Sequence, residues 1–102
     1  LIFEHKPLNM VANVVTNMTM TVQILYFAGL ADKLRTSNES LEIPSSFTLG
    51  QLKEKLSTRG EDWAANINAK TTRSALNQNL SNDDATLNNG DEIAFFPPVT
   101  GG

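Results

Sequence analysis

The stretch MTVQILYF, residues 20–27, predicts a strand in the middle of a sheet. Its side chains alternate between two faces, with Val22, Ile24 and Tyr26 on one and Gln23, Leu25 and Phe27 on the other. Both faces are largely apolar, which is typical of a strand that is covered on one side and contacts another surface on the other. The segment EIAFF, residues 92–96, has the same character. We therefore expect the first and last strands to lie in the middle of the sheet and to run parallel.

The residues between these two strands predict one main helix and several shorter elements. Thr48 and Gln51 have the spacing of a capping box, at the start of a helix that stops at Gly60. The apolar face of this helix comprises Leu49, Leu52 and Leu56. The shorter elements expected are a strand ending at residue 44, helical turns at 28–35 and 61–67, a weak strand at 73–77, and turns at 78–79 and 88–90. This order predicts an α+β fold in which the main helix packs across a mixed sheet.

The length of 102 residues indicates a single domain. Residues 1–19 show no sustained period of 2 or 3.6, so we interpret them as an extension left by an expression vector or by processing. Residues 20–96 then form the folded domain, and residues 97–102 form a flexible functional tail. No apolar run approaches the ~18–20 residues needed to span a bilayer, and no secretory signal is recognisable, so we expect no membrane partner and a cytoplasmic location.

Several classes of chemistry lack the side chains that they need. The chain has no cysteine and a single histidine, His5, which excludes a thiolate metal site, a cysteine nucleophile and a multi-histidine metal site. No metal or tightly bound cofactor is therefore expected. From Ser74 onward there are 4 acidic residues and no basic one, which argues against nucleic acid as a partner and suits a basic protein surface.

The chain end is the remaining candidate for a reactive group. After the last strand come Pro97, Pro98, Val99, Thr100, Gly101 and Gly102. The two prolines stiffen the exit from the sheet, and the two glycines, which lack Cβ atoms, allow the backbone to enter a narrow channel. Six extended residues reach at most ~20 Å, enough to carry a terminal carboxylate into a neighbour's active site.

A carboxylate is a poor electrophile and must be activated before a nucleophile can attack it. The usual biological solution is an acyl-adenylate made from ATP, and attack by sulfur on that species gives a thiocarboxylate. Because this chain has no loop that could cradle phosphates, a partner must supply the adenylation site.

The segment NGDEIAFFPPVTGG, residues 89–102, resembles the C-terminal signature of the molybdopterin synthase small-subunit family. The opening VQILYFA, residues 22–28, and the segment ALNQ, residues 75–78, are also similar to that family. The likeness covers residues 20–102 and leaves residues 1–19 unexplained. It implies a ubiquitin-like β-grasp fold.

The resemblance also implies a function as a sulfur carrier in molybdenum cofactor biosynthesis. An E1-like enzyme would use ATP to adenylate the Gly102 carboxylate, and a sulfur-donor system would convert it to a thiocarboxylate. The sulfur would then pass to precursor Z to form the molybdopterin dithiolene. The family pattern implies a heterotetramer with the large subunit, which holds the transferase active site, so the small subunit would not be an enzyme on its own.

A partner surface is predicted beside the tail. If Ile93 and Phe95 face the core, Phe96 faces the other side of the sheet together with Phe27, and Leu80 widens this apolar patch. Exposed apolar patches on small proteins often mark the sites where partners bind.

Three alternatives stay open at the level of sequence. The first is a carrier of the same chemistry that serves thiamine or tRNA thiolation, and the second is a ubiquitin-like modifier joined to lysines. The third is an interaction domain with an inert tail. The relatives that serve thiamine or tRNA usually lack the segment FFPPV, which precedes the tail residues Thr100 to Gly102 here as residues 95–99. Its presence favours the molybdopterin assignment.

Overall fold

The computed structural model describes residues 18–98. Within this range the chain forms a five-stranded mixed sheet and three helices. In chain order the elements are β1 (Thr19–Tyr26), α1 (Ala28–Leu34), β2 (Asn38–Pro44), α2 (Leu49–Ser57), α3 (Glu61–Ile67), β3 (Arg73–Leu76), β4 (Asn79–Leu80) and β5 (Glu92–Phe96). The predicted α+β fold, in which one main helix accompanies a mixed sheet, is confirmed.

The strand order is β2-β1-β5-β3-β4, so the first and last strands are neighbours inside the sheet. They run parallel, with Ile24 opposite Ile93 and Tyr26 opposite Phe95. Strand β2 pairs antiparallel with β1, and β3 pairs antiparallel with β5. The prediction that β1 and β5 are parallel and internal is therefore confirmed.

The core lies between one face of the sheet and the helices. Val22, Ile24 and Ile93 are fully buried on this face, and Phe95 beside them is buried to the same degree. The helix α2 contributes its apolar face, formed by Leu49, Leu52 and Leu56, each of which is 0% exposed. Full burial of one such side chain contributes roughly 1.5–3 kcal/mol, so this layer dominates the stability of the domain.

The start of α2 confirms the predicted capping box. The Thr48 hydroxyl accepts a hydrogen bond from the Gln51 backbone N–H at 3.2 Å, and the Gln51 side chain accepts one from the Thr48 N–H at 2.9 Å. Gly50 occupies the first turn because the neighbouring loop passes close to it: a Cβ added there would lie 3.1 Å from Cβ of Asp83. Glycine, which weakens the helix intrinsically, thus avoids a tight contact with this loop.

Several element boundaries differ from the predictions, most of them by one residue. Strand β1 begins at Thr19, inside the segment predicted to be an extension, whereas residues 1–17 lie outside the described range. Helix α2 ends at Ser57, and Gly60, with φ of 148°, precedes α3 instead of stopping α2.

The turn between β3 and β4 also lies one residue earlier than predicted. Its positive-φ residues are Asn77 and Gln78 (φ 50° and 72°), and Asn79 already belongs to β4. The Asn77 side chain stabilises this position because its amide donates to Asp91 at 3.0 Å and its oxygen accepts from the Glu92 N–H at 3.0 Å. Two consecutive positive-φ residues are what a tight hairpin turn requires, and asparagine tolerates that conformation.

Candidate functional site

The root of the predicted tail lies at the end of β5, inside the sheet. The strand ends at Phe96 and is followed by Pro97, which is half-buried, and Pro98, which is exposed. Because proline has no N–H donor, the pair cannot extend the hydrogen bonding between strands. Outside the described residues lie the remaining tail positions, Val99, Thr100, Gly101 and Gly102, whose roles stay predictions.

The sheet face that points away from the helices is apolar and open. Phe27 directly follows β1 and is 47% exposed, and Leu80 on β4 is 77% exposed. Phe96 is half-buried and lines the same depression as these two residues. The backbone N–H of Phe27 donates to the carbonyl of Phe95 at 3.1 Å and holds the two strand ends together. The structure thus places the three predicted interface residues on one surface, which we call the open face. Their binding role remains a prediction.

The open face is concave because small residues lie at its centre. One row of residues in register crosses four strands of the sheet, and it consists of Leu25, Ala94, Ala75 and Leu80. The two alanines form the floor of a depression of about 550 Å³, and Phe27, Phe96, Leu25 and Leu80 are among its walls. Sequence analysis identified three of the walls but missed the alanine floor. The feature of the sequence that could have predicted this floor is the alanine at position 94, between bulky apolar neighbours.

Behind the open face, aromatic rings pack on the core side of the same two strands. The rings of Tyr26 and Phe95 are stacked with their centroids 6.0 Å apart, and Trp63 of α3 meets the Tyr26 ring edge-on at 5.4 Å. Trp63 is partly buried and packs against the core. These contacts hold the ends of β1 and β5, and therefore the root of the tail, against the helices.

A charged pair completes this aromatic cluster. Glu39 accepts two hydrogen bonds from the guanidinium of Arg59, at 2.7 and 2.8 Å, and a third from the Tyr26 hydroxyl at 2.7 Å. The hydrogen bonds from Arg59 hold the pKa of Glu39 below its ordinary value. Burial, reinforced by Glu39, raises the pKa of Tyr26. Arg59 also lies over Trp63, with Cζ 4.5 Å from the ring centroid. Sequence analysis missed this pair, because nothing local links residues 20 positions apart.

Two other features are absent from residues 18–98. No helix there is long and apolar enough to cross a membrane. In the same range, no three acidic or histidine side chains are grouped closely enough to hold a metal ion.

A family model described as the ThiS family matches residues 24–102, from β1 to the final glycine. The chain belongs to the ThiS family. This ThiS-family chain is 34% identical over 82 residues to the molybdopterin synthase sulfur carrier subunit of Escherichia coli (strain K12), covering 79% of its own length and 99% of that relative. The subunit of the same name from Haemophilus influenzae is 33% identical, with the same coverage. The resemblance inferred from the sequence is confirmed.

Solved structures similar to this ThiS-family chain confirm the ubiquitin-like fold. The solution structure of the Haloferax volcanii HVO 2177 protein has a TM-score of 0.71 and 21% identity, and it covers 83% of this chain and 89% of that one. Small archaeal modifier protein 1 from Methanosarcina acetivorans has a TM-score of 0.68 and 20% identity, covering 82% and 98%. The complex of subunits 1 and 2 of molybdopterin-converting factor from Helicobacter pylori 26695 matches with a TM-score of 0.58 and 26% identity, covering 81% and 100%.

Proposed function

We propose that this chain is a sulfur carrier in molybdenum cofactor biosynthesis and acts as the small subunit of molybdopterin synthase. The observation that carries the proposal is the 34% identity to the Escherichia coli sulfur carrier subunit over 99% of that relative's length. The residues before the tail support it, because two prolines directly follow an internal strand and restrict the backbone at the point from which the sequence continues to Gly-Gly.

The chemistry proposed takes place at the carboxylate of Gly102. An E1-like enzyme transfers AMP from ATP to this carboxylate, and pyrophosphate leaves. A sulfide equivalent from a sulfur-donor system attacks the acyl carbon, the C–S bond forms, the C–O bond to AMP breaks, and the proton goes to solvent. Two such thiocarboxylates each donate one sulfur to precursor Z, which becomes the dithiolene of molybdopterin, and hydrolysis with water returns each carrier to the carboxylate.

The large subunit of molybdopterin synthase is the proposed partner for the transfer step, in a heterotetramer. It would supply the transferase active site, while Phe27, Leu80 and Phe96 of the open face anchor it beside the tail. Two features support this arrangement: the open face is apolar and concave, and the tail starts at its edge, after Phe96. Six extended residues after Phe96 reach at most ~20 Å, so the terminal group could enter the active site of the large subunit to about that depth.

Intact-mass measurement after incubation with ATP, the E1-like enzyme and a sulfur donor tests the proposal. We expect a mass gain of one sulfur-for-oxygen exchange on the full chain and no gain on a variant that lacks Gly102. Circular dichroism of that variant should match the full chain, because the deletion lies beyond the sheet. With labelled sulfur, transfer to precursor Z should require the large subunit.

The alternatives predict different products in the same experiment. Conjugates to lysines of other proteins without a thiocarboxylate would identify a modifier. Label in a thiazole precursor or in tRNA, and none in precursor Z, would identify a carrier for thiamine or tRNA. A variant without Gly102 that still supports molybdopterin formation would show that the tail is inert.

A further inference from the structure

The open face carries opposite charges at its two ends. Arg73 of β3 lies directly opposite Phe96 in the register of β3 and β5, at the end where the tail begins. Glu92, the first residue of β5, lines the depression at the other end of the strand. Positions 92 and 96 are four residue steps apart along an extended strand, which corresponds to about 13 Å. Any partner that covers the aromatic residues must therefore meet a cation near the tail and an anion away from it.

Within residues 18–98, the guanidinium of Arg73 has no hydrogen-bond or ion-pair partner. Of the cations in residues 18–98, Arg59 is paired with Glu39, and Lys53 forms an ion pair with Asp83 at 3.0 Å. Arg73 is exposed, and within the same range no carboxylate or other acceptor lies within ion-pair or hydrogen-bond distance of its side chain. Its charge contributes nothing evident to the stability of the domain and is available for an external contact.

A polar cleft adjoins the open face at this point. It has a volume of about 490 Å³ and is lined by hydroxyl and amide groups, two cations and one carboxylate, of which Lys53 and Asp83 are paired with each other and Arg73 is not. Leu80 lines both this cleft and the apolar depression, so the two form one continuous surface with Leu80 as the wall between them. Hydroxyl and amide groups beside a guanidinium form a suitable environment for a carboxylate.

We infer that Arg73 and this cleft receive a carboxylate side chain of the molybdopterin synthase large subunit, while Glu92 faces a cation of that subunit. This inference rests on the proposed function and adds the chemistry of the partner's surface to it. The partner that fits is apolar where it covers Phe27 and Phe96, acidic beside Arg73 and basic beside Glu92.

We expect these contacts because covering an unpaired charge at an interface costs free energy. A guanidinium buried at an interface without a carboxylate loses its hydration and gains nothing in return. In the reversed orientation the partner's acid would meet Glu92 and its base would meet Arg73, so two like-charge contacts would form. Complementary charges at the rim therefore select one orientation, which points the tail towards a single active site.

The test compares charge reversals on the open face with charge reversals on the helical side. Arg73→Glu and Glu92→Lys are the test variants, and Lys55→Glu and Glu54→Lys on α2 are matched controls, because both control residues are exposed on the side of the sheet opposite the open face. Affinity for the purified large subunit is measured by titration calorimetry at low and high salt. We expect each test variant to lose at least about tenfold in affinity at low salt, and each control to change less than about twofold. High salt should reduce the difference in affinity between the test and control variants, because it screens the charges.

Two further measurements separate the role of the charge from a structural role. Arg73→Lys should keep most of the affinity, since it keeps the charge, and the melting temperature of Arg73→Glu should stay near that of the original chain. If the original chain binds the large subunit and both test variants behave like the controls, this inference is wrong and the proposed function stands. If the original chain does not bind the large subunit at all, the proposed function itself is contradicted.

Discussion

The Tyr26 and Phe95 rings stack 6.0 Å apart on the core side of two parallel strands, and the next residue of each strand faces the opposite side. Phe27 and Phe96 are therefore held in place by the packing of their immediate neighbours. The shape of the open face therefore depends on packing in the core. Substitutions on the open face should affect binding, whereas substitutions on the core side should affect folding stability.

Phe96→Ala should weaken binding of the large subunit by about 2 kcal/mol or more, as expected for an aromatic anchor at the centre of an interface. The stability of the isolated domain should change little, because this ring is only half-buried and lines the open depression. Phe95→Ala is the matched control, and it should cost roughly 3–5 kcal/mol of folding stability because that ring is fully buried. Calorimetry and thermal melts measure both effects. A large drop in the melting temperature of Phe96→Ala would contradict the assignment.

Gly101→Val should keep the fold and reduce the yield of thiocarboxylate. A β-branched side chain thickens the tail and restricts its backbone, so it should fit poorly in a narrow channel of the activating enzyme. Thr100→Val is a suitable control, because it exchanges one β-branched residue for another of similar shape. Intact-mass measurement gives the yield and circular dichroism checks the fold. Equal yields from both variants would show that the channel is wide at position 101.

Gly50→Ala should fail to stabilise the domain, although alanine is favoured over glycine in a helix by up to ~1 kcal/mol. The added Cβ would lie 3.1 Å from Cβ of Asp83 and 3.2 Å from its carbonyl oxygen, closer than ordinary contact. Gly29→Ala in α1 is the control, since nothing lies within 4 Å of its added Cβ, and it should be neutral or stabilising by up to ~1 kcal/mol. Chemical denaturation compares them. Equal stabilisation by both substitutions would show that the 82–85 loop moves aside at no cost.

Glu39→Gln should make the stability of the domain less dependent on pH in the acidic range. Because Arg59 lowers the pKa of Glu39 in the folded state below its ordinary value of 4.5, the carboxylate stabilises the fold above that value. This contribution is lost as the pH falls through the lower, folded-state pKa. Thermal melts between neutral and acidic pH should show the largest deficit of the variant at neutral pH and a shrinking deficit below about 4.5. Glu42→Gln, at an exposed position of β2, controls for removal of a carboxylate. A deficit that does not change with pH would contradict the role of the charged pair.

Much of the site could be predicted from the sequence because its signals are local. The alternation in 92–96 placed Phe96 opposite the buried Phe95, and the burial of the two residues confirms this register. The turn between β3 and β4 was predicted one residue late, since the residue that stabilises it, Asn77, does so through Asp91 and Glu92. Those partners are separated from it by 14 and 15 residues, so the pattern of neighbours does not reveal them.

The sequence by itself determined the periodicity of β1 and β5, the capping box of α2, and the faces of the strands on which Tyr26, Phe95 and Phe96 lie. All of these depend on periods and caps that span four residues or fewer, where backbone geometry dictates which side chains share a face. Only the tertiary structure decided that Ala75 and Ala94 form one floor, that Glu39 pairs with Arg59, and that Arg73 lies beside Phe96 with no side-chain partner among residues 18–98. Each of these relationships joins residues from different elements, and their distance depends on the path of the whole chain through the sheet.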